Sequence, residues 1–357
     1  MLVRKMIEHN KPTIEKDDLE LVCDVLSSKW IGPGKKVKEF ESALAKYLSK
    51  DGHAVAVDSG TSALYLALLA LGIKKGDEVI LPTYVCTAVL NAVNYTDATP
   101  VLADINSCDF NISYEDTAKK INKKTKAIIV PHVYGIPADV DKFLEIGVPV
   151  IEDCAQSIGA KFKNQKVGTF GDLSMFSFYA TKLLTTAKGG AVYSKNKKLI
   201  DFINDLVDYD CRPTYKIRYN YHLDDFQAAL GLSQLKKLDS FIKRRKETAN
   251  EYNEIIEKKK NSFAVKIPKS KENVWYRYVI ISNKNPEKIK KEFLKEGIEV
   301  INPLENWELL HNYMHLNRKY FPNAERITRK TVSVPLYPSL NDKEVEKIKN
   351  AIDKIYE

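Results

Sequence analysis

Four short apolar runs, at 78–81, 100–103, 127–130 and 148–151, recur with helix-like segments between them. Each is shorter than a stable helix and too uniformly apolar to be a strand with one wet face. Runs of this kind are strands buried on both sides. The helical apolar spacing at 61–71, 87–93, 114–121 and 140–144 supplies the covering layers. A further strand is expected at 53–57, and helices at 14–26 and 37–47. The chain therefore reads as α/β, with a mostly parallel sheet covered on both faces. Ligands of such sheets bind outside the carboxyl ends of the strands. Asp153 and Tyr84 follow two of these strands.

The second half reads differently. One long helical pattern runs from 224 to about 260, with Phe226, Leu230, Leu235, Leu238 and Ile242 on its apolar side. Beyond it come a strand-like stretch at 274–281, a helix at 286–296 and a final helix after Asn341. This predicts a large domain over 1–245 and a small α+β domain over 246–357, with the long helix joining them.

Composition excludes several classes. No apolar run reaches the roughly 18 residues that a membrane span needs, and the first residues, MLVRKMIEHNKP, lack the apolar core of a secretory leader. The five cysteines are scattered without a CxxC pair, which fits reduced thiols in a cytoplasmic protein. The six histidines show no metal-ligand spacing. The net charge of +9 comes largely from lysines at helical spacing among glutamates, a solvated helix face and no nucleic-acid site. Neither GxSxG, GxGxxG nor GxxxxGK[ST] is present.

Candidate chemistry sits in the stretch FSFYATKLLTTAKGG, residues 176–190, where Lys182 lies among small and hydroxyl residues after an apolar strand. Asp153 ends an earlier strand. Strand alternation puts Glu152 on one face and Asp153 on the other, and the small residues after Asp153 allow a flat ring to approach. A lysine amine and a buried aspartate are what a pyridoxal phosphate site needs. The lysine forms the imine, and the aspartate keeps the pyridine nitrogen protonated. Gly60, Thr61 and Ser62 stand where a strand turns into a helix, a place where free N–H groups and hydroxyls hold phosphate. Ser177 offers another hydroxyl, and Tyr84 is placed to stack on a ring. His132 and Tyr134 also follow a strand.

In this order the motifs resemble the DegT/DnrJ/EryC1/StrS family of PLP-dependent sugar aminotransferases. The matching pieces are Gly32-Pro33-Gly34 with Phe40-Glu41, Ser59 to Leu64, Glu152-Asp153-Cys154-Ala155-Gln156, and the block around Lys182. Later come Tyr219-Asn220-Tyr221, Gln227-Ala228-Ala229-Leu230-Gly231 with Gln234-Leu235, and Ser333-Val334-Pro335-Leu336. The resemblance implies the aspartate aminotransferase-like fold (fold type I) and a homodimer with two shared active sites. It implies Lys182 as Schiff-base lysine and proton shuttle, and Asp153 at the pyridinium nitrogen. Gln156 lies by the ring hydroxyl, Tyr84 on the ring, and Thr61, Ser62 and Ser177 at the phosphate. Asn220 reaches the phosphate of the partner subunit's cofactor.

The implied reaction moves an amino group from L-glutamate to a keto-sugar. The acceptor expected is a nucleotide-linked 3- or 4-keto-6-deoxy sugar, in amino-sugar and surface-polysaccharide biosynthesis. The rival reading keeps the fold and replaces the acceptor by a cyclitol, a keto-sugar acid or a small phosphorylated ketone. A dehydratase of the same family carries histidine for the lysine, which Lys182 argues against. A PLP-binding regulator requires a DNA-binding module. Three departures stand out. Ala187-Lys188 replaces Gly-Glu, and is expected to put a cation near the acceptor pocket. His222 replaces Arg, and 297–313 lacks a clear match to the family's substrate loop.

Overall fold

The apolar runs become strands because both of their faces are covered: Val79, Ile80, Leu81, Ile128, Ile129 and Ile151 are all fully buried. The computed structural model describes residues 6–357. The reading of the amino terminus as lacking a leader falls partly on 1–5, outside the described residues. In chain order the first strands are β1 (His53–Val57), β2 (Glu78–Pro82), β3 (Thr99–Ala103), β4 (Thr125–Pro131) and β5 (Val150–Asp153). After two short strands, β6 (Lys161–Phe162) and β7 (Gln165–Lys166), come β8 (Leu173–Ser177) and β9 (Gly190–Ser194). Seven of them form one sheet in the order β1-β9-β8-β5-β4-β2-β3. Strands β2, β3, β4, β5 and β8 run parallel, and β9 lies antiparallel between β8 and β1. The expected mostly parallel sheet is present, with one reversed strand.

This topology puts the chemistry at one edge. The carboxyl ends of the parallel strands are Pro82, Ala103, Pro131, Asp153 and Ser177. Because β9 is antiparallel and begins at Gly190 opposite Ser177, the loop joining β8 to β9 arches over that same edge. Strand β1 ends at Val57 opposite Gly190, so Ser59 and the helix Gly60–Ala70 start there too. That helix is apolar on every side and packs on β8 and β9. Fully burying one of its leucines contributes about 1.5–3 kcal/mol.

The long helix Asp225–Ile256 starts with a reciprocal cap between Asp224 and Gln227. It connects two hydrophobic cores. Leu235, Leu238 and Ile242 belong to the core of the large sheet, whereas Ala249, Tyr252 and Ile256 belong to a second core. Phe226 and Leu230, expected on the same apolar side, are only half-buried. The second core lies against β10 (Ser262–Ala264), β12 (Tyr278–Ser282) and β13 (Thr331–Val334), a three-stranded antiparallel sheet. Between them β11 (Lys271–Glu272) pairs with β6. The helices Pro286–Lys295 and Asp342–Ile355 cover this sheet, each capped by an asparagine, Asn285 or Asn341. Ile7 reaches across to pair with Ile298, so the amino-terminal segment lies on the second unit.

One boundary differs from expectation. The strand foreseen at 274–281 begins only at Tyr278. Its first residues are occupied elsewhere: the N–H groups of Val274 and Tyr276 donate to Gly135 O and Tyr134 O, at 3.3 and 3.1 Å. The segment leaves its own sheet to close over the turn that follows β4. Among the described residues, no helix is long and apolar enough to cross a membrane.

Candidate active site

At the carboxyl edge of the sheet lies a cavity of about 260 Å³. Lys182, Asp153, Gln156 and Tyr84 all line it. The loop carrying Lys182 is held by its own polar groups. Phe178 N–H donates to Gly189 O, Thr186 N–H to Phe178 O, and Ala187 N–H to Thr185 Oγ1, each at 2.9 Å. From outside, the amide of Asn10 donates to Thr181 O at 3.0 Å. The ammonium of Lys182 stands 5.2 Å from the ring centroid of Tyr276.

The two acids of β5 part company as strand alternation requires. Glu152 points away from the cavity and accepts four hydrogen bonds. One comes from His132 Nε2 at 3.0 Å, and the N–H groups of Gly168, Phe170 and Gly171 each donate at 2.8 Å. Burial alone would raise its pKa, but these donors, His132 first, hold it below the usual carboxylate value. The Nδ1 of His132 accepts from Ala138 N–H, which leaves its proton on Nε2. Glu152 and His132 thus fasten β4 to β5, and with Cys154 they form a buried trio whose polar atoms lie within 4.8 Å. Asp153 faces the cavity. Burial pushes its pKa up, offset in part by the N–H of Ala155, by Lys182 and by His132. One oxygen accepts from Ala155 N–H at 2.9 Å.

Gln156 is oriented by the turn after β4, its Oε1 accepting from Tyr134 N–H at 2.8 Å. Tyr84 is deeply enclosed, with its hydroxyl 2.7 Å from that of Tyr134 and its ring 6.1 Å from Phe110 at an interplanar angle of 19°. Cys86, two residues further on, is the exposed side chain of that wall.

Gly60, Thr61 and Ser62 begin the helix at the same edge of the sheet, where Gly60 meets Ser177, and none of these four lines the cavity itself. Ser59 Oγ accepts from Ser62 N–H at 3.1 Å, starting the helix. A Cβ on Gly60 would stand 2.9 Å from Ser177 Cβ and 3.0 Å from Met175 Cε. The helix start and the end of β8 are thus a cradle of N–H groups and hydroxyls with no room for a larger residue. Asn220 is exposed and does not join the cavity within one chain. Lys188 does not join it either. It pairs with Asp58 at 3.6 Å and is absent from the cavity wall, so the expected cation in the acceptor pocket is not found in a single subunit.

The other wall comes from the carboxy-terminal unit: Tyr276, Arg277, Pro303, Leu304 and Glu308. None of these was singled out from the sequence. Arg277 did carry a signal, being one charge inside the apolar run 274–281, and it is half-buried at the cavity wall. Tyr276 is enclosed. Burial would raise its pKa, but Lys182, Arg277, a hydrogen bond with Thr181 and Arg245 bring it down to about 8.

Residues 12–353 match the DegT/DnrJ/EryC1/StrS aminotransferase family. The chain belongs to this family. It is 35% identical over 366 residues to the GDP-perosamine synthase of Escherichia coli O157:H7, covering 99% of both chains. It is 32% identical over 377 residues to the spore coat polysaccharide biosynthesis protein SpsC of Bacillus subtilis strain 168, covering 98% of this chain and 97% of that one. Among solved structures it resembles the PMP form of the sugar aminotransferase Spr1654 of Streptococcus pneumoniae, with a TM-score of 0.92, 26% identity and 98% of each chain covered.

The chain is thus a PLP-dependent aminotransferase of fold type I, and pyridoxal phosphate is its cofactor. The site fits that group. An amine and a buried carboxylate share one cavity, and a helix start with free N–H groups and hydroxyls lies at the same edge of the sheet.

Proposed function

We propose that the protein transfers an amino group from L-glutamate to a keto-sugar carried on a nucleoside diphosphate, in the making of an amino sugar for a surface polysaccharide. The names of the E. coli and B. subtilis relatives support this substrate class. The observation that carries the reading is the convergence of Lys182 and Asp153 on one cavity at the carboxyl edge of the sheet.

When bound, pyridoxal phosphate supplies an electron-withdrawing ring that makes the substrate's C–H bond acidic. The chain's own groups supply the rest. In this reading Lys182 anchors the cofactor and, once released, its Nζ takes and returns the proton at the substrate carbon. Asp153 holds a proton on the ring nitrogen, a charge pair that its burial strengthens. Gln156 lies beside the ring hydroxyl and Tyr84 walls the ring. Gly60, Thr61, Ser62 and Ser177 bind the phosphate through N–H and O–H donors. Asn220 lies on an exposed segment and serves the partner subunit's site, which makes the functional unit a homodimer. The protein works in the cytoplasm. The division into residues 1–245 and 246–357 follows the second hydrophobic core, which starts at Ala249 within the long helix, although Leu309, Phe321 and Ile327 pack into the first core and Ile7 into the second.

Two experiments test this. Borohydride reduction of the loaded protein followed by peptide mapping should place the label on Lys182, and Lys182→Ala should carry none. L-Glutamate should shift the visible absorbance of the yellow protein. The amine form should then aminate one member of a panel of 3-keto and 4-keto nucleotide sugars, scored by mass. A label elsewhere, or a colour that no amino acid changes, overturns the reading.

A further inference from the structure

Arg277, half-buried in the cavity wall, is unlike the buried Arg245. Arg245 spends its Nη1 on three carbonyls, those of Trp275, Tyr276 and Leu336, at 3.1, 3.3 and 2.6 Å. Arg218 is likewise tied to Asp205 and Thr214. Arg277 has no such ties. Its Nη1 is buried and has no hydrogen-bond partner among the described residues. Its guanidinium lies 5.6 Å from the centroid of the Tyr276 ring. A buried N–H edge of a guanidinium without an acceptor is costly, because it has lost its water and gained nothing in return.

The position is imposed by the fold. The backbone just ahead of Arg277 is tied to the turn after β4 through Val274 and Tyr276, which carries the guanidinium to the cavity wall. Lys182 and Arg277 flank one ring, so a molecule reacting at Lys182 lies close to Arg277. The fixed acids of the cavity leave the guanidinium unmatched. Asp153 is bound to Ala155 N–H, and Glu308 accepts from Glu305 N–H at 2.7 Å. Neither forms an ion pair with Arg277 among the described residues.

We propose that Arg277 is the anion-recognition residue of this cavity and pairs through its buried Nη edge with a carboxylate of the substrate. The inference rests on the aminotransferase reading and narrows it to a substrate bearing a carboxylate within reach of Arg277 when its reacting carbon is at Lys182. The planar fork of a guanidinium matches the two oxygens of a carboxylate. The carboxylate has two possible sources. It belongs to the amino donor, or to an acceptor that is itself a sugar acid.

The test uses loaded wild-type protein, Arg277→Gln and Arg277→Lys. The two half-reactions are followed separately by cofactor absorbance. The donor arm compares L-glutamate with its 1-amide. The acceptor arm compares a neutral keto-sugar nucleotide with its uronic acid counterpart. Removing one partner of a buried charge pair should raise the half-saturating concentration of the carboxylate substrate by about 30-fold or more. The amide or neutral counterpart should respond little, and Arg277→Lys should recover part of the loss. Independently, calorimetry of cofactor-free protein should show glutarate binding that Arg277→Gln abolishes.

A change confined to the donor arm assigns the carboxylate to the amino acid, and a change confined to the acceptor arm assigns it to the sugar. Unchanged half-saturation in both arms, with unchanged glutarate affinity in a variant of normal thermal stability, overturns the proposal. If wild type itself gives no half-reaction with any amino acid, the aminotransferase reading fails, and the glutarate measurement still decides the role of Arg277.

Discussion

At the scale of single residues the site is a problem of charge. Lys182, Arg277 and Arg245 act together on the enclosed phenol of Tyr276. This phenol is expected to ionise near pH 8 in cofactor-free protein, where an ordinary tyrosine ionises near pH 10. The sign follows from linkage. A group whose folded pKa is depressed adds stability that is complete above the unfolded pKa and is lost as pH falls through the folded one. Wild type should therefore gain stability relative to Tyr276→Phe between pH 8 and pH 10. A phenolate absorbance step near pH 8, absent from Tyr276→Phe, is the direct check. Asp153 works the other way. Burial raises its pKa, and a cationic ring nitrogen would give its charge a partner. Asp153→Asn keeps the shape and removes the charge. It should lower kcat by at least about 10²-fold, the scale on which one preorganised electrostatic contact acts, while the borohydride label stays on Lys182. Unchanged kcat would remove Asp153 from the mechanism.

At the scale of elements, the helix Gly60–Ala70 shows how tightly the cradle is built. Alanine at position 60 would suit the helix by up to about 1 kcal/mol. Its Cβ would nevertheless crowd Ser177 Cβ at 2.9 Å. The helix start must then move away from β8, opening the anion cradle. Gly60→Ala should fold, lose about 1–3 kcal/mol of stability to overpacking, and bind pyridoxal phosphate at least about tenfold more weakly by absorbance titration. Unchanged affinity would show that the cradle is not where the phosphate sits. Elements of this kind were legible in the sequence because their signals are local. Apolar runs placed β2, β3, β4 and β5 to within a few residues, and the alternation along β5 separated Glu152 from Asp153. The wall formed by Tyr276 and Arg277 was not legible. Val274 and Tyr276 give their backbone hydrogen bonds to a turn about 140 residues earlier, and no local pattern encodes that partner. The partner of Lys188 was not legible for the same reason: only the fold shows that Asp58 is beside it.

At the scale of the molecule, the two units are tied through buried polar contacts as well as through the long helix. Thr83, just beyond β2, bonds to His311 Nδ1 at 2.7 Å, and His311 Nε2 lies 3.1 Å from Glu325. The cavity wall beside Tyr84 is thereby fixed against the carboxy-terminal unit. A different surface is unfinished. Tyr215 is 97% exposed, Ile217 71% and Trp30 66%, and Asn220 lies exposed on the same segment as Tyr215 and Ile217. That segment is anchored by Tyr219 and Tyr221, whose N–H groups donate to Leu206 O and Val207 O, and by Lys216 and Arg218, which pair with Asp205, while the side chains of Tyr215 and Ile217 stay exposed. Large apolar side chains held out in this way mark an association surface, and in the proposed dimer they cover the partner's site. The double variant Tyr215→Glu, Ile217→Glu should shift the protein from dimer to monomer in sedimentation equilibrium. Its cofactor affinity should fall with it, because Asn220 would no longer reach a second site. Asn220→Ala, which leaves the apolar contacts in place, should weaken cofactor binding and keep the dimer. The two variants separate a residue that holds the cofactor from a surface that holds the subunits. A monomer that binds pyridoxal phosphate as tightly as wild type would show each site to be complete within one chain.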